Sequence, residues 1–172
     1  MANRPQYNYL DIGIAGEDLV AQWLQSKGWR ILHRRWRYRR GEIDIIAQYD
    51  GEGAWEENCF PTPPHPYTLT PLLTFVEVKT RSPESWDAGG RSAITPQKQT
   101  KLWRTALMFL AKYPDKAEYS CRFDVACVCC QEISKELSIV EISQQYLASS
   151  LLEGYQFVLE EYIPGAFDCQ TN

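Results

Sequence analysis

"TFVEVKTR", residues 74–81, decides how this chain is read. Phe75, Val76 and Val78 have the aromatic and β-branched character of a buried strand, yet Glu77 and Lys79 sit among them. Side chains alternate along a strand, so Glu77 and Lys79 share one face while Val76 and Val78 take the other. An unpaired charge in a sheet core is costly. This Glu and Lys therefore pair with each other, reach water, or hold something.

"GEIDIIA", residues 41–47, poses the same question. Strict alternation puts Ile43, Ile45 and Ala47 on one face and Glu42, Asp44 and Ile46 on the other. Asp44 is then a carboxylate in the middle of a second apolar strand. If the two strands are neighbours, Asp44 and Glu77 converge with Lys79 beside them. Two carboxylates at one place repel, and at least one resists ionising. A divalent cation removes that conflict. Oxygen ligands with no nearby His or Cys select Mg²⁺ or Mn²⁺ over zinc.

The surrounding pattern supplies a scaffold. Ile12, Ala15, Leu19, Val20, Trp23 and Leu24 recur at helical spacing over 11–27, and Gly28 is placed to stop that helix. Glu17 falls at the edge of the apolar stripe. Gly16 lies inside it, where another part of the chain can approach closely. Strands are expected at 29–38, 41–50 and 72–80, as an antiparallel meander. Between the last two, residues 51–71 are rich in Pro and Gly and read as a loop insertion. Thr95-Pro96 reads as an N-cap followed by a proline in the first helical turn. The helix it opens has Leu102, Trp103, Ala106, Phe109 and Leu110 on one face and ends before Pro114. "CRFDVACVCC" (121–130) is the next strand. Residues 131–154 mix both patterns, with a helix expected near 143–153, and 155–163 reads as a last strand. The order α-β-β-β-α-β plus a tail predicts one α/β domain, a mixed β-sheet flanked by helices, with an acidic C-terminal extension over 131–172.

The 172 residues are 44% apolar, enough for a real core and too hydrophobic for wholesale disorder. No basic leader followed by an apolar run opens the chain, and no apolar stretch is long enough to cross a membrane. A cytoplasmic protein with no membrane partner is the expectation. The six cysteines lack paired CxxC-type spacing, so neither structural zinc nor a disulfide framework is expected. The four within 121–130 read as small buried hydrophobes in a strand. "RILHRRWRYRR" (30–40) interleaves six arginines, among them Arg34, Arg35, Arg37, Arg39 and Arg40, with Trp36 and Tyr38. Arginine forks suit phosphate and aromatic rings suit bases. The same composition suits a solvated edge strand guarded against aggregation, and both readings stay open. Arg81 either contacts phosphate or ends its strand.

Asp44 followed by Glu77-Val78-Lys79 resembles the acidic residue and E-x-K element of the PD-(D/E)xK nuclease superfamily. More closely, "GEDLVAQWL", "GEIDIIA", "FVEVKTRS", "TPQKQTKL", "RFDVA" and "YIPGAFD" follow one another as in the YraN-like family, whose relatives include archaeal Holliday-junction resolvases. The resemblance implies a restriction-endonuclease-like core. It implies that Asp44 and Glu77 coordinate Mg²⁺, with the Val78 carbonyl as third ligand. Lys79 would orient the attacking water and offset charge developing on the phosphate. Glu17 matches the early acidic position of the family, where it would bind a metal through water or position a second one. Gln99 and Lys98, opening the second helix, would face the site or the substrate backbone.

The expected activity is metal-dependent hydrolysis of phosphodiester bonds in DNA, structure-selective in the manner of a junction resolvase. Symmetric cutting of that kind would require a homodimer. A nucleic-acid-binding scaffold without catalysis, or an RNA-processing nuclease, would use the same residues. The 51–71 insertion is a candidate substrate clamp or protein-partner loop, or inert decoration. No Ser-His-Asp or Cys-His set is apparent. His33 and His65 read as structural or solvated, and Arg122 with Asp124 as a structural ion pair.

Overall fold

A computed structural model describes residues 9–50, 71–83, 94–133 and 146–167. The 51–71 insertion, apart from its last residue, lies outside them, as do His65, Cys59 and Cys169. The first helix, α1 (Tyr9–Ser26), presents Ala15, Leu19, Val20, Trp23 and Leu24 to the core. It ends where the sequence expects. Gly28 takes φ 82°, its N–H reaches the Gln25 carbonyl, and the Trp29 N–H reaches the Leu24 carbonyl. That pair of bonds is a Schellman motif, and its left-handed residue favours glycine.

Strands β1 (Arg30–Tyr38), β2 (Gly41–Tyr49) and β3 (Leu72–Arg81) form the antiparallel meander. Helix α2 (Pro96–Lys112) then crosses over, so that β4 (Ser120–Glu132) lies parallel to β3; parallel neighbours require such a crossover. Thr95 caps α2 by accepting the Lys98 N–H at 3.3 Å.

The last strand lies where the sequence expects one, and one unexpected strand precedes it. Two further strands, β5 (Ala148–Leu152) and β6 (Tyr155–Phe167), follow β4. The sheet order is β1-β2-β3-β4-β6-β5, a six-stranded mixed sheet. The helix expected near 143–153 is replaced, over its described part, by edge strand β5. Its short half-exposed pattern has neither a helical nor a clean alternating period. β6 is longer than the expected 155–163 and pairs with β4 along most of its length.

The two helices cover opposite faces. On one, α1 packs with Ile45, Val76, Ala126 and Val128. On the other, α2 packs with Ile46, Phe75, Phe123 and Val125. Trp103 lies half-buried against that second cluster, and Phe109 is fully buried in it. Cys127, Cys129 and Cys130 are buried, whereas Cys121 is exposed. Among the described residues no helix is long and apolar enough to cross a membrane.

Strict alternation fails at one place in β2. Ile43 joins Ile46 on the α2 face rather than Ile45 on the α1 face. The break falls on Asp44, and across the ladder Arg35 takes φ 50° between the pairs Arg34↔Ile45 and Trp36↔Ile43. Positive φ is uncommon for a residue with a Cβ, and sheet irregularities of this kind re-aim side chains.

Candidate active site

The β2–β3 ladder runs from Tyr49↔Leu72 to Ile45↔Val76 and stops there. One residue further along, Asp44 does not pair through its main chain with Glu77. Its Oδ2 accepts the Val78 N–H at 2.7 Å instead. The two strands thus part at the two carboxylates, while β3 continues its pairing with β4 through Glu77↔Val125 to Arg81↔Cys129.

Glu77 is only 3% exposed. Its Oε1 receives Lys79 Nζ at 2.6 Å and Lys98 Nζ at 3.0 Å. Its Oε2 is buried with no hydrogen-bond partner. Glu77 and Lys79 therefore do pair, yet one buried oxygen remains unspent. A buried acceptor without a donor carries a desolvation penalty of about 1–3 kcal/mol, more when charged. Asp44 is pushed up to about 7, first by burial and then by the Glu77 charge; its bond from Val78 and the Lys98 cation oppose the rise. Two carboxylates, one with an orphaned oxygen and one resisting ionisation, fit a hard divalent cation.

Glu17 lies close enough to raise the Asp44 pKa. Burial raises its own pKa, and Arg35 and then Arg34 oppose that. The Arg35 guanidinium reaches both Glu17 oxygens at 3.0–3.3 Å, and Arg34 Nη2 lies 3.5 Å away. Arg34 also pairs with Asp18. Glu17 is thus held by arginines beside the Asp44–Glu77 pair. Among the described residues no three His, Cys, Asp or Glu side chains converge as a metal-holding group.

The remaining expected residues divide. Lys98 joins Glu77 directly. Gln99 donates its amide to the Ile94 carbonyl at 3.2 Å and lines a cavity of about 310 Å³. Arg34 and Arg35 turn toward α1 and are engaged there. Arg37 pairs with Glu42 at 3.1 Å, Arg39 lies over the Tyr38 ring at 5.5 Å, and Arg40 is exposed in the turn. Arg81 ends β3.

The structural readings hold. Asp124 is fully buried and receives Arg122 Nε at 3.0 Å, the Tyr162 hydroxyl at 2.7 Å and the Gly165 N–H at 2.9 Å. His33 packs on Phe109 and Tyr113, and burial lowers its pKa. The Arg34 and Arg35 bonds to α1 had no signal in the sequence, because strand alternation alone puts these adjacent residues on opposite faces.

The sequence model of the Uncharacterised protein family UPF0102 matches residues 16–128, a span that holds Glu17, Asp44, Glu77, Lys79 and Lys98. A UPF0102 protein of Trichormus variabilis is 54% identical over 162 residues, covering 94% of this chain and 97% of the relative. One from a Nostoc species is 53% identical over the same shares. One from a Synechocystis species is 38% identical over 164 residues, covering 91% of this chain and 97% of its own length.

Proposed function

This chain belongs to the UPF0102 family, and from that premise we propose that it is a Mg²⁺- or Mn²⁺-dependent endonuclease that hydrolyses phosphodiester bonds in DNA, on a core of the PD-(D/E)xK kind. One observation carries this reading. Asp44 and Glu77 meet where β2 and β3 separate, with Lys79 Nζ 2.6 Å from Glu77 and one Glu77 oxygen left without a donor.

Asp44 and Glu77 would hold the cation, with the Val78 carbonyl as a further ligand. When bound, it would lower the pKa of a water molecule and polarise a phosphoryl oxygen. Lys79 orients the attacking water and places a positive charge where negative charge grows on the phosphate. Lys98, on the first turn of α2, is a second cation for the substrate backbone. It also offsets the Glu77 charge until substrate arrives. Arg37, Arg39 and Arg40 extend the positive surface along β1 and its turn.

The test is cleavage of labelled duplex, single-stranded, flap and four-way-junction DNA, with Mg²⁺ and with Mn²⁺, by wild type and Lys79→Ala. The expected result is metal-dependent cutting that drops by about 10²–10³ in the variant, the size of effect seen when one stabilising donor is removed. Equal cutting by both proteins would mean the activity belongs to a contaminant. The preferred substrate decides whether junction-type selectivity applies.

A second reading has its own observation. Lys79 and Lys98 together neutralise Glu77 on its Oε1 side. A nucleic-acid-binding scaffold would then bind DNA tightly without cutting it and keep its affinity in Asp44→Ala and Glu77→Ala.

A further inference from the structure

The geometry points to a second subsite: the cavity beside Glu77 receives one unpaired nucleobase, so that the protein grips its substrate by a base turned out of the stack. This inference rests on the phosphodiesterase reading above and names the substrate feature recognised.

The cavity lies one strand from Glu77. Val125 is the register partner of Glu77 on β4, and Ile163 is the register partner of Val125 on β6. Val125 lies on the α2 face, where Glu77 meets Lys98. Val125 and Ile163 line the cavity, as does Gln99, the residue after Lys98. The cavity therefore begins one strand away from the carboxylate, on the same face of the sheet.

Its lining suits a heterocycle. Among the described residues, none that lines the cavity is charged, so it selects a neutral group rather than a phosphate. Phe167 contributes a ring held against Phe123, with centroids 4.9 Å apart and planes nearly parallel. Aromatic rings of this kind are the usual platform for an unstacked base. Gln99 spends one amide hydrogen on the Ile94 carbonyl. An amide has a second hydrogen and an acceptor oxygen, which suit the polar edge of a base.

Size and rigidity agree with that occupant. About 310 Å³ is at the bottom of the roughly 300–1,000 Å³ range of small-molecule sites, room for one heterocycle and not for a base pair with its backbone. The Gly165 end of the cavity is fixed from behind by Asp124, which accepts its N–H from full burial. A wall held in that way costs little ordering on binding. Extruding a base from a duplex costs unstacking energy, and a base already unpaired avoids it. The subsite would therefore favour single-stranded, flap or branched DNA.

The experiment is an amide-resolved NMR titration of the full chain in EDTA. The probes are deoxyadenosine 5′-monophosphate and deoxyribose 5-phosphate, and five-nucleotide single strands with and without a central abasic site. The expected result is movement of the Gly165, Ala166 and Phe167 signals by the nucleotide. The sugar phosphate and the abasic strand should bind roughly five- to a hundredfold more weakly, the span of one stacked base. Ala166→Trp, which fills the cavity, should abolish this discrimination. Equal binding of base-bearing and base-free probes, or signal movement confined to other residues, overturns the subsite. Metal-dependent cleavage without any movement at Gly165–Phe167 also overturns it and leaves the hydrolase reading standing. Movement there with no cleavage of any substrate keeps the subsite and removes the hydrolase reading.

Discussion

Asp44 sits where burial, and next the Glu77 charge, penalise its ionised form, and its pKa of about 7 lies above the ordinary value of 3.8. Between those values the folded protein holds a proton that the unfolded chain has lost. Stability must then fall as pH rises from about 4 to about 7, the opposite of a salt-bridged aspartate. Asp44→Asn removes the titration and keeps an acceptor for the Val78 N–H. Urea unfolding in EDTA should find wild type losing more stability across that range than Asp44→Asn does. The variant should exceed wild type at pH 8 by up to about 4 kcal/mol. Parallel pH curves would sink the burial account. Added Mg²⁺ at pH 8 should raise the wild-type midpoint more than that of the Asn variant, which keeps only the Glu77 carboxylate for the cation. Asp44 and Glu77 were legible as a pair from two short apolar strands that each carry a carboxylate. The Lys98 bond was legible only as a lysine at a helix start, since its reach to Glu77 depends on how α2 crosses the sheet.

At the scale of elements, α1 is held to β3 through a position where only glycine fits. A Cβ on Gly16 would lie 2.0 Å from Thr80 Oγ1 and 3.1 Å from Thr80 Cβ. Thr80 is β-branched and cannot swing clear without moving its Cβ, so α1 would have to lift from the strand that carries Glu77 and Lys79. Gly16→Ala should gain up to about 1 kcal/mol of helix propensity and lose more to overpacking, typically about 1–3 kcal/mol. The net destabilisation should be largely recovered in the double variant Gly16→Ala with Thr80→Ala. Thermal unfolding measures both, and no recovery would mean the close approach is not the cause. The sequence marked this glycine as a place of close approach, and its stop and cap signals marked the end of α1 and the start of α2. It did not mark β5, because a five-residue edge strand with an exposed leucine pair has no period to read.

At the scale of the molecule, the arginine run along β1 separates into two populations. Arg34 and Arg35 fasten β1 to α1 through Glu17 and Asp18, whereas Arg37, Arg39 and Arg40 lie exposed toward the β1–β2 turn. Glutamine at 37, 39 and 40 should leave unfolding nearly unchanged. It should also lower the slope of log affinity against log salt by about one for each phosphate no longer neutralised. Arg35→Gln should instead destabilise the fold by about 1–3 kcal/mol, because it leaves the buried Glu17 carboxylate only the longer Arg34 contact. Fluorescence anisotropy over a salt series, with melting curves on the same proteins, separates the two groups. If Arg35→Gln melts like wild type and all four positions alter the slope equally, the division fails.

Local chemistry determined the helix limits, the three-strand meander and the two strands that carry misplaced charge, because caps, turns and apolar periods act over a few residues. Membership in one family followed from those same motifs taken in order. The tertiary structure alone decided that β6 enters between β4 and β5, that α2 delivers Lys98 to Glu77, and that Arg35 closes on Glu17. Each of these joins residues distant along the chain, and the Arg35 contact depends also on the local break in alternation opposite Asp44. No local pattern around residue 35 or 44 encodes that break. It lies where β2 and β3 part, beside Asp44 and Glu77.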